Sequence, residues 1–480
     1  MKARQVLFFI LGVFLMLGAA WAVFPAEGVR FGTKRLRFAS YAGHVRDAKE
    51  KKVDVDSVLN ALDGRFAMMG DTLAFYRQFF YENPDRIYLP DDDYTFFDPV
   101  FRAFERARKE GRTVRVAHYG DSQIELDRIS SNLREALQTR FGGRGTGMFP
   151  ALTNTPMASI SRSSSGGFIS YTMFGDSTTR RAGHRRYGPL AQVTGFTGTG
   201  TVSLRAQKQK STQEHVRTFQ SVSLLYGQAS NDFTVTVQSD TLKPAPAFRM
   251  KDGVTWVTWT FSRPVEKATL KLEGSAEIYG VSTDGTAGVA VDNIPMRGST
   301  GHILTRIDQD LMKAAFELDG TRLVILQVGG NFVPAAGSSK AISGYMDKVR
   351  EQIAYYREVA PAAKILFIGP SDMASTTEEG RIVSYRHLPE LVDSLKAVSL
   401  AADVAYWDLY RMMGGQNSMA QWVRHSPAYA GPDYVHFTPA GAKVVGETLS
   451  RSFLTYYDFY DLRKTLPAAA VQQRMGRCND

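Results

Sequence analysis

The chain has 480 residues, with 58 Lys and Arg against 48 Asp and Glu and a formal net charge of +10. Its hydrophobic fraction of 44% and charged fraction of 22% are ordinary for a globular protein, and the length suggests about two to four domains. The basic residues form no tract with interleaved aromatics, which excludes a clear nucleic-acid signature, and the single cysteine, Cys478, excludes an intramolecular disulfide or a cysteine zinc site.

The N-terminal stretch "MKARQVLFFILGVFLMLGAAWAVFPAEG" sets Lys2 and Arg4 before an apolar run from Val6 to about Phe24. That is the pattern of an export signal, with Ala20-Trp21-Ala22 as a cleavage site; the run is also near the roughly 20 residues that span a bilayer. Residues 1–24 are therefore expected to be a signal peptide or an N-terminal membrane anchor, either of which places the rest outside the cytoplasm. Residues 25–60, basic and then mixed in charge, read as a linker.

From 61 to 110 the spacing is helical. In "FDPVFRAFERARKEG" Phe97, Val100, Phe101 and Phe104 share one face, and Gly111 is a plausible stop. The strand "TVRVAHYG" follows and ends at Gly120-Asp121-Ser122. A helix is expected over about 125–140, "ELDRISSNLREALQTRF", with free N–H groups pointing towards Ser122. Two readings are open for this corner: Asp121 or Ser122 caps the helix, or Ser122 is a nucleophile. His118, just before it, reads as structural.

Composition shifts at about 151. Up to about 287 short alternating runs such as "FQSVSLLYG" and "VTWVTWTFS" are separated by turn residues, which predicts six to nine strands in a β-sandwich or jelly roll. Trp256 and Trp259, three apart, fall on opposite faces of their strand, so the outward one could stack on a sugar ring. Arg144, Arg180, Arg181, Arg185 and Arg186 are candidates for meeting glycan carboxylates, although nothing in the sequence fixes them in a cleft.

The strand–helix rhythm then resumes. Strands at 288–294, 323–329, 363–369 and 404–410 join 114–120, with helices at 301–317, 341–358 and 384–400. Apolar strands alternating with helices predict a parallel sheet covered on both faces. The domain therefore occupies 61–150 and 288–463, interrupted by an insert at 151–287, and 464–480 is expected to be a flexible tail.

In an open parallel sheet ligands bind beyond the carboxyl ends of the strands. Polar residues gather there. Gly298 lies in "VDNIPMRGSTG", where a backbone N–H could face a substrate oxygen; Gly301 and the group Gly142, Gly143 and Gly145 compete for that role. Asn331, in "QVGGNFV", could aim its amide at an oxyanion or form a turn. In "GPDYVHFTPAGAKVVGETL" Asp433 and His436 are three apart and can meet within one turn of chain, with Thr438 and Pro439 as the N-cap and N1 of the last helix.

Each signal is weak alone, but their joint order resembles the SGNH (GDSL-like) hydrolase superfamily. The resemblance covers roughly 112–147 and 288–460. It implies a flavodoxin-like three-layer α/β/α sandwich with five parallel strands, Ser122, Asp433 and His436 as catalytic residues, and an oxyanion hole formed by Ser122, Gly298 and Asn331. Gln123 departs from the leucine common after "GDS", and Phe332 from the aspartate common after the asparagine.

The insert behind an export signal resembles periplasmic peptidoglycan O-acetylesterases and O-acetyltransferases, whose insert is similar to a carbohydrate-binding module. That implies an acetylated glycan as substrate; Arg144, Trp256 and Trp259 are the residues the sequence itself offers as candidates for contacting it. It implies no metal or organic cofactor and, for a transferase, a membrane acyltransferase partner. A non-catalytic glycan-binding protein is the reading from another class.

Overall fold

The computed structural model describes residues 72–152, 156–208, 213–239 and 253–475, with Met16 and two short strands, β1 (Val29–Phe31) and β2 (Lys34–Leu36). β1 and β2 pair antiparallel and belong to a separate unit covering Met1–Asp54. Most of the expected export segment and linker lies outside the described residues. Among those described, no helix is long and apolar enough to cross a membrane.

The larger unit is built on a six-stranded sheet. In chain order its strands are β3 (Ile87–Tyr88), β4 (Thr113–Gly120), β12 (Gly288–Pro295), β13 (Thr321–Gln327), β14 (Lys364–Ile368) and β17 (Ala405–Trp407); β15 (Ala374–Thr376) and β16 (Ile382–Ser384) form a separate antiparallel pair. The spatial order is β12-β4-β13-β14-β17-β3. The first five are parallel, as expected, and β3 adds an antiparallel edge that two residues of sequence did not announce.

Alternate residues serve opposite faces of the sheet. Val114, Val116, Leu323 and Ile325 join one core, while Ala117, Tyr119, Val324 and Leu326 join the other. Because both faces are covered, the strands read as continuous apolar runs. Helices α2 (Asp98–Lys109), α3 (Ser130–Phe141), the short α7 (Leu409–Met412) and α8 (Ser418–Arg424), and α9 (Pro439–Arg463) pack on the first face; α4 (Gln309–Asp319), α5 (Ser339–Val359) and α6 (Leu388–Ala401) pack on the second. Phe97, Val100, Phe101 and Phe104 share the buried face predicted for them.

Two expectations need correction. The segment after Ser122 is a one-turn 3-10 helix, Ser122–Ile124, and the long helix α3 starts only at Ser130, so no helix N-terminus directly follows the serine. The tail is not wholly flexible: α10 (Ala468–Met475) buries Val471 and Met475 in the first core, beside α1 (Thr72–Glu82). Its two apolar anchors four residues apart form too short a stripe to stand out in the sequence.

Between β4 and β12 the chain makes an antiparallel all-β insert of seven strands: β5 (Gly147–Phe149), β6 (Ile160–Thr172), β7 (Gln192–Ala206), β8 (Phe219–Gly227), β9 (Thr234–Gln238), β10 (Thr255–Val265) and β11 (Lys267–Asp284). The 18-residue β11 is shared between two layers. Its first part pairs with β7 and β9, its last part with β8 and β5, with a register shift between Ile278 and Gly280. Val202, Leu204, Leu270 and Leu272 then meet Val222, Leu224, Val257 and Phe261 in a single core.

The insert is fused to the parallel-sheet layer by a buried charge cluster. Arg115 of β4, 2% exposed, donates to Asp284 at the end of β11 (2.8 Å) and to Asp292 of β12 (2.6 Å), with Asp319 of α4 at 4.0 Å. The N–H of Met148 also donates to Asp292, at 2.7 Å. Nearby, Gly143 (φ +128°) crosses β12 so closely that a Cβ would lie 2.3 Å from the Val289 carbonyl oxygen. The glycine-rich loop thus serves close chain packing.

Removing one partner of a buried ion cluster leaves uncompensated charge. Arg115→Ala should cost about 3–5 kcal/mol in urea unfolding. Burial pushes the Asp319 carboxyl from near 3.8 up to about 7. Its protonated form is therefore favoured by folding: the contribution is full below the ordinary value and is lost as pH rises through about 7. Asp319→Asn should flatten the pH dependence of stability across that window, measured by unfolding at a series of pH values.

Candidate active site

From β4 the chain reaches β12 on one side of the sheet, whereas β13 lies on the other side of β4. The strand order therefore switches between β4 and β13, which opens a crevice at their carboxyl ends. Ser122 follows β4 and Asn331 follows β13. The loop before α9 brings His436 to the same place.

Asp121 does the capping at this corner. Its Oδ1 accepts the Gln123 N–H at 2.9 Å, which closes the 3-10 turn and leaves the Ser122 hydroxyl for another partner. That partner is His436, whose Nε2 lies 2.8 Å from Ser122 Oγ. The other ring nitrogen, Nδ1, is 2.7 Å from Asp433 Oδ2. Asp433 Oδ1 accepts the N–H groups of Val435 and His436, both at 3.1 Å. Partial burial pushes the Asp433 carboxyl up, but the His436 ring and these N–H groups outweigh it and hold the carboxyl below its usual range.

Asn331 sits where its position in the sequence implies, but its amide is already engaged. Nδ2 donates to Asp121 Oδ2 at 3.1 Å and to the Ser299 carbonyl at 3.2 Å. Gly298 (φ +73°) lies in the turn Met296–Ser299, closed by the Ser299 N–H on the Met296 carbonyl. Arg297 in that turn clasps Glu125 through two bonds of 2.6 and 2.7 Å. Gly298 does not line the cavity that Ser122, Asn331 and His436 share. The N–H groups of Ser122 and Gly298 donate to no other group among the described residues.

The cavity holds about 230 Å³, and its walls include Gln327, Pro334, Met373 and Tyr385. This is smaller than the several hundred cubic ångströms typical of drug-sized ligands and suits a small group. Gln327, 3% exposed, escaped the sequence reading because it is one polar residue at the end of an apolar strand. Its Oε1 is 3.0 Å from His118 Nε2, and His118 Nδ1 is 2.9 Å from Ser130 Oγ. Burial pushes His118 down to about 4, so at neutral pH it is an uncharged structural link. Burial likewise pushes Asp121 up, to about 6, against the Gln123 N–H and the His436 charge, which hold it down.

The weaker candidates fall elsewhere. Arg144 donates to Thr218 of the insert. Trp259, 5% exposed, is in the insert core; Trp256 faces the opposite way and packs half-buried against the second core, with the Arg115 guanidinium 5.2 Å from its ring. Neither ring is a free platform beside Ser122. Arg181, Arg185 and Arg186 are tied to backbone carbonyls or to Glu277. Arg180 lines a separate pocket of about 360 Å³ with Glu125 and Arg297. Among the described residues no three His, Cys, Asp or Glu side chains gather as metal ligands.

No family model matches the sequence, and a search of curated proteins returns no match. Among solved structures, a peptidoglycan O-acetylesterase aligns over 77% of this chain and 97% of its own, with a TM-score of 0.59 and 22% identity. A GDSL-like lipase from Parabacteroides merdae aligns over 35% of this chain and 74% of its own (TM-score 0.25, 16% identity). For an acetyl xylan esterase the shares are 34% and 81% (TM-score 0.26, 14% identity). With its sheet order, its serine corner at the switch point and its all-β insert between neighbouring strands, the chain shares the α/β fold of that peptidoglycan O-acetylesterase, the fold expected from the resemblance to SGNH (GDSL-like) hydrolases.

Proposed function

We propose that this chain is an exported serine esterase that removes O-acetyl groups from a cell-envelope glycan, peptidoglycan or another polysaccharide, through an acyl-enzyme intermediate. The observation that carries the reading is the continuous relay Ser122–His436–Asp433, with links of 2.8 and 2.7 Å, opening on a small cavity at the strand switch. Likeness in fold to a peptidoglycan O-acetylesterase supports the choice of ester, and the N-terminal apolar run supports a periplasmic location, soluble or anchored.

The chemistry follows from the geometry. His436 Nε2 takes the Ser122 proton as Oγ attacks the acetyl carbonyl, and Asp433 holds the ring and balances its charge. The oxyanion forms beside the Ser122 N–H group, while Gly298 stays outside the cavity lining. Asn331 joins the Ser122 N–H by exchanging its bond to the neutral Ser299 carbonyl for one to the charged oxygen, which is the stronger acceptor. His436 then returns its proton to the leaving sugar oxygen, and the acyl–enzyme bond remains. A water molecule, deprotonated by His436, attacks that bond; acetate leaves and Ser122 recovers its proton. A sugar hydroxyl in place of water would make the same site a transferase fed by a membrane acyl donor.

Ser122→Ala should abolish hydrolysis of a chromogenic acetate ester and leave the melting temperature nearly unchanged, since only one partly exposed hydrogen bond is lost; wild-type-like activity would remove the nucleophile. Asn331→Ala should lower turnover about 10²–10³-fold. The decisive assay incubates residues 25–480 with O-acetylated peptidoglycan, with and without a chitooligosaccharide acceptor. Ser122-dependent acetate release establishes the esterase, acetyl transfer to the acceptor establishes the transferase, and neither product overturns the glycan assignment.

A further inference from the structure

The histidine loop is an exposed segment whose position must nevertheless match the serine to within tenths of an ångström. The side chains of Asp433 and His436 are 50% and 42% exposed, so the ring is not wedged in place by packing. The turn carries Tyr434 at φ +56° and is closed by the Gly431 N–H on the His436 carbonyl, which fixes its shape but not its distance from Ser122. Phe437, 2% exposed, anchors the loop after the histidine, and the Ala374 N–H holds the Tyr434 carbonyl at 3.2 Å before it.

The tie that links the loop directly to the nucleophile comes from the serine side. Gln123, 8% exposed, donates through Nε2 to the Val435 carbonyl at 2.6 Å and accepts the Phe437 N–H on Oε1 at 3.2 Å. These are the backbone groups on either side of His436, so one planar amide clamps both neighbours of the ring. Because Gln123 directly follows Ser122 and its own N–H is held by Asp121, the clamp is rigid at both ends. Arg128 adds a second tie. Its guanidinium donates to the carbonyls of Ser122 (3.0 Å), Glu125 (2.9 Å) and Phe437 (3.0 Å).

We propose that Gln123 is a positioning residue: its side-chain amide sets the separation of His436 from Ser122, and so the reactivity of the serine. The proposal rests on the esterase reading above. Leucine at this position would match the size of glutamine but leave the Val435 carbonyl and the Phe437 N–H without partners. Both polar atoms of Gln123 are committed to the loop, so its loss acts on the chemical step more than on substrate binding. A misplacement of the order of 1 Å at a reacting centre can cost about 10²-fold in rate.

The test compares the wild type with Gln123→Leu and Gln123→Glu on a small acetate ester. Gln123→Leu is expected to lower kcat about 10–100-fold with KM within about twofold. Gln123→Glu keeps the acceptor for the Phe437 N–H, but only its protonated form donates to the Val435 carbonyl. Its activity relative to wild type should therefore climb as pH falls, whereas the Gln123→Leu ratio stays flat. Wild-type kcat in Gln123→Leu, or a pH-independent ratio for Gln123→Glu, overturns the proposal. If Gln123→Leu does not fold, the Gln123→Glu ratio decides. If the wild type itself is inactive on the ester, the esterase reading fails, and ¹⁵N NMR of the His436 ring still decides the positioning. A ring signal unchanged in the folded variants overturns it, and one shifted or broadened in Gln123→Leu supports it.

Discussion

A guanidinium buried among carboxylates from separate elements is the constraint on which the architecture turns. Arg115 lies in the middle of the parallel sheet at 2% exposure, and such a charge is tolerated inside a protein only when it is paired and hydrogen-bonded. Its partners come from the last strand of the insert, from the neighbouring strand β12 and, at longer range, from α4. The chain leaves the sheet after β4, builds seven strands and must return beside β4. Asp284 and Asp292 meet Arg115 only when it returns in the observed register. The insert is therefore not a detachable module: Tyr187, Leu190, Leu225 and Tyr279 of the insert share a core with the helices of the second face.

That return positions the site. β12 re-enters alongside β4, its loop carries Gly298 and Arg297, and Arg297 closes on Glu125 three residues past Ser122. On the other side of β4 the loop after β13 delivers Asn331 against Asp121. Two of the three groups around Ser122 are thus held by the strand order itself. The third, the Asp433–His436 turn, lies near the surface and depends on Gln123 and Arg128 reaching across to its backbone. Rigid sheet edges and a polar-tethered loop thus hold one geometry at the serine.

Much of this is legible in the sequence. The five parallel strands follow from apolar runs spaced by helical segments, and the face of α2 follows from its phenylalanines. Thr438 accepts the Gly441 N–H at 3.2 Å with Pro439 at N1, as a local cap signal implies. Less was legible where polarity replaced periodicity. β6 is mostly exposed and rich in Ser and Gly, so it offers no alternating pattern. Gln123 read only as a departure from a motif, and Gln327 as part of an apolar strand. The sequence left open which of Trp256 and Trp259 faces outward and that the outward ring is covered, because what covers Trp256, Arg115 included, belongs to a different segment of the chain.

The sequence by itself determined whatever depends on neighbours within a few residues: strand and helix periods, the cap at Thr438, and the reach of Asp433 to His436. Only the tertiary structure decided what joins distant segments. Ser122 and His436 are separated by 314 positions, and Gln123 meets Val435 across 312. The physical reason is that periodicity and capping are short-range, whereas these contacts exist only after strand order, insert register and buried charge pairing have been satisfied together. The glycine beside the serine could announce a turn; that the turn faces a histidine held by glutamine is a property of the folded chain.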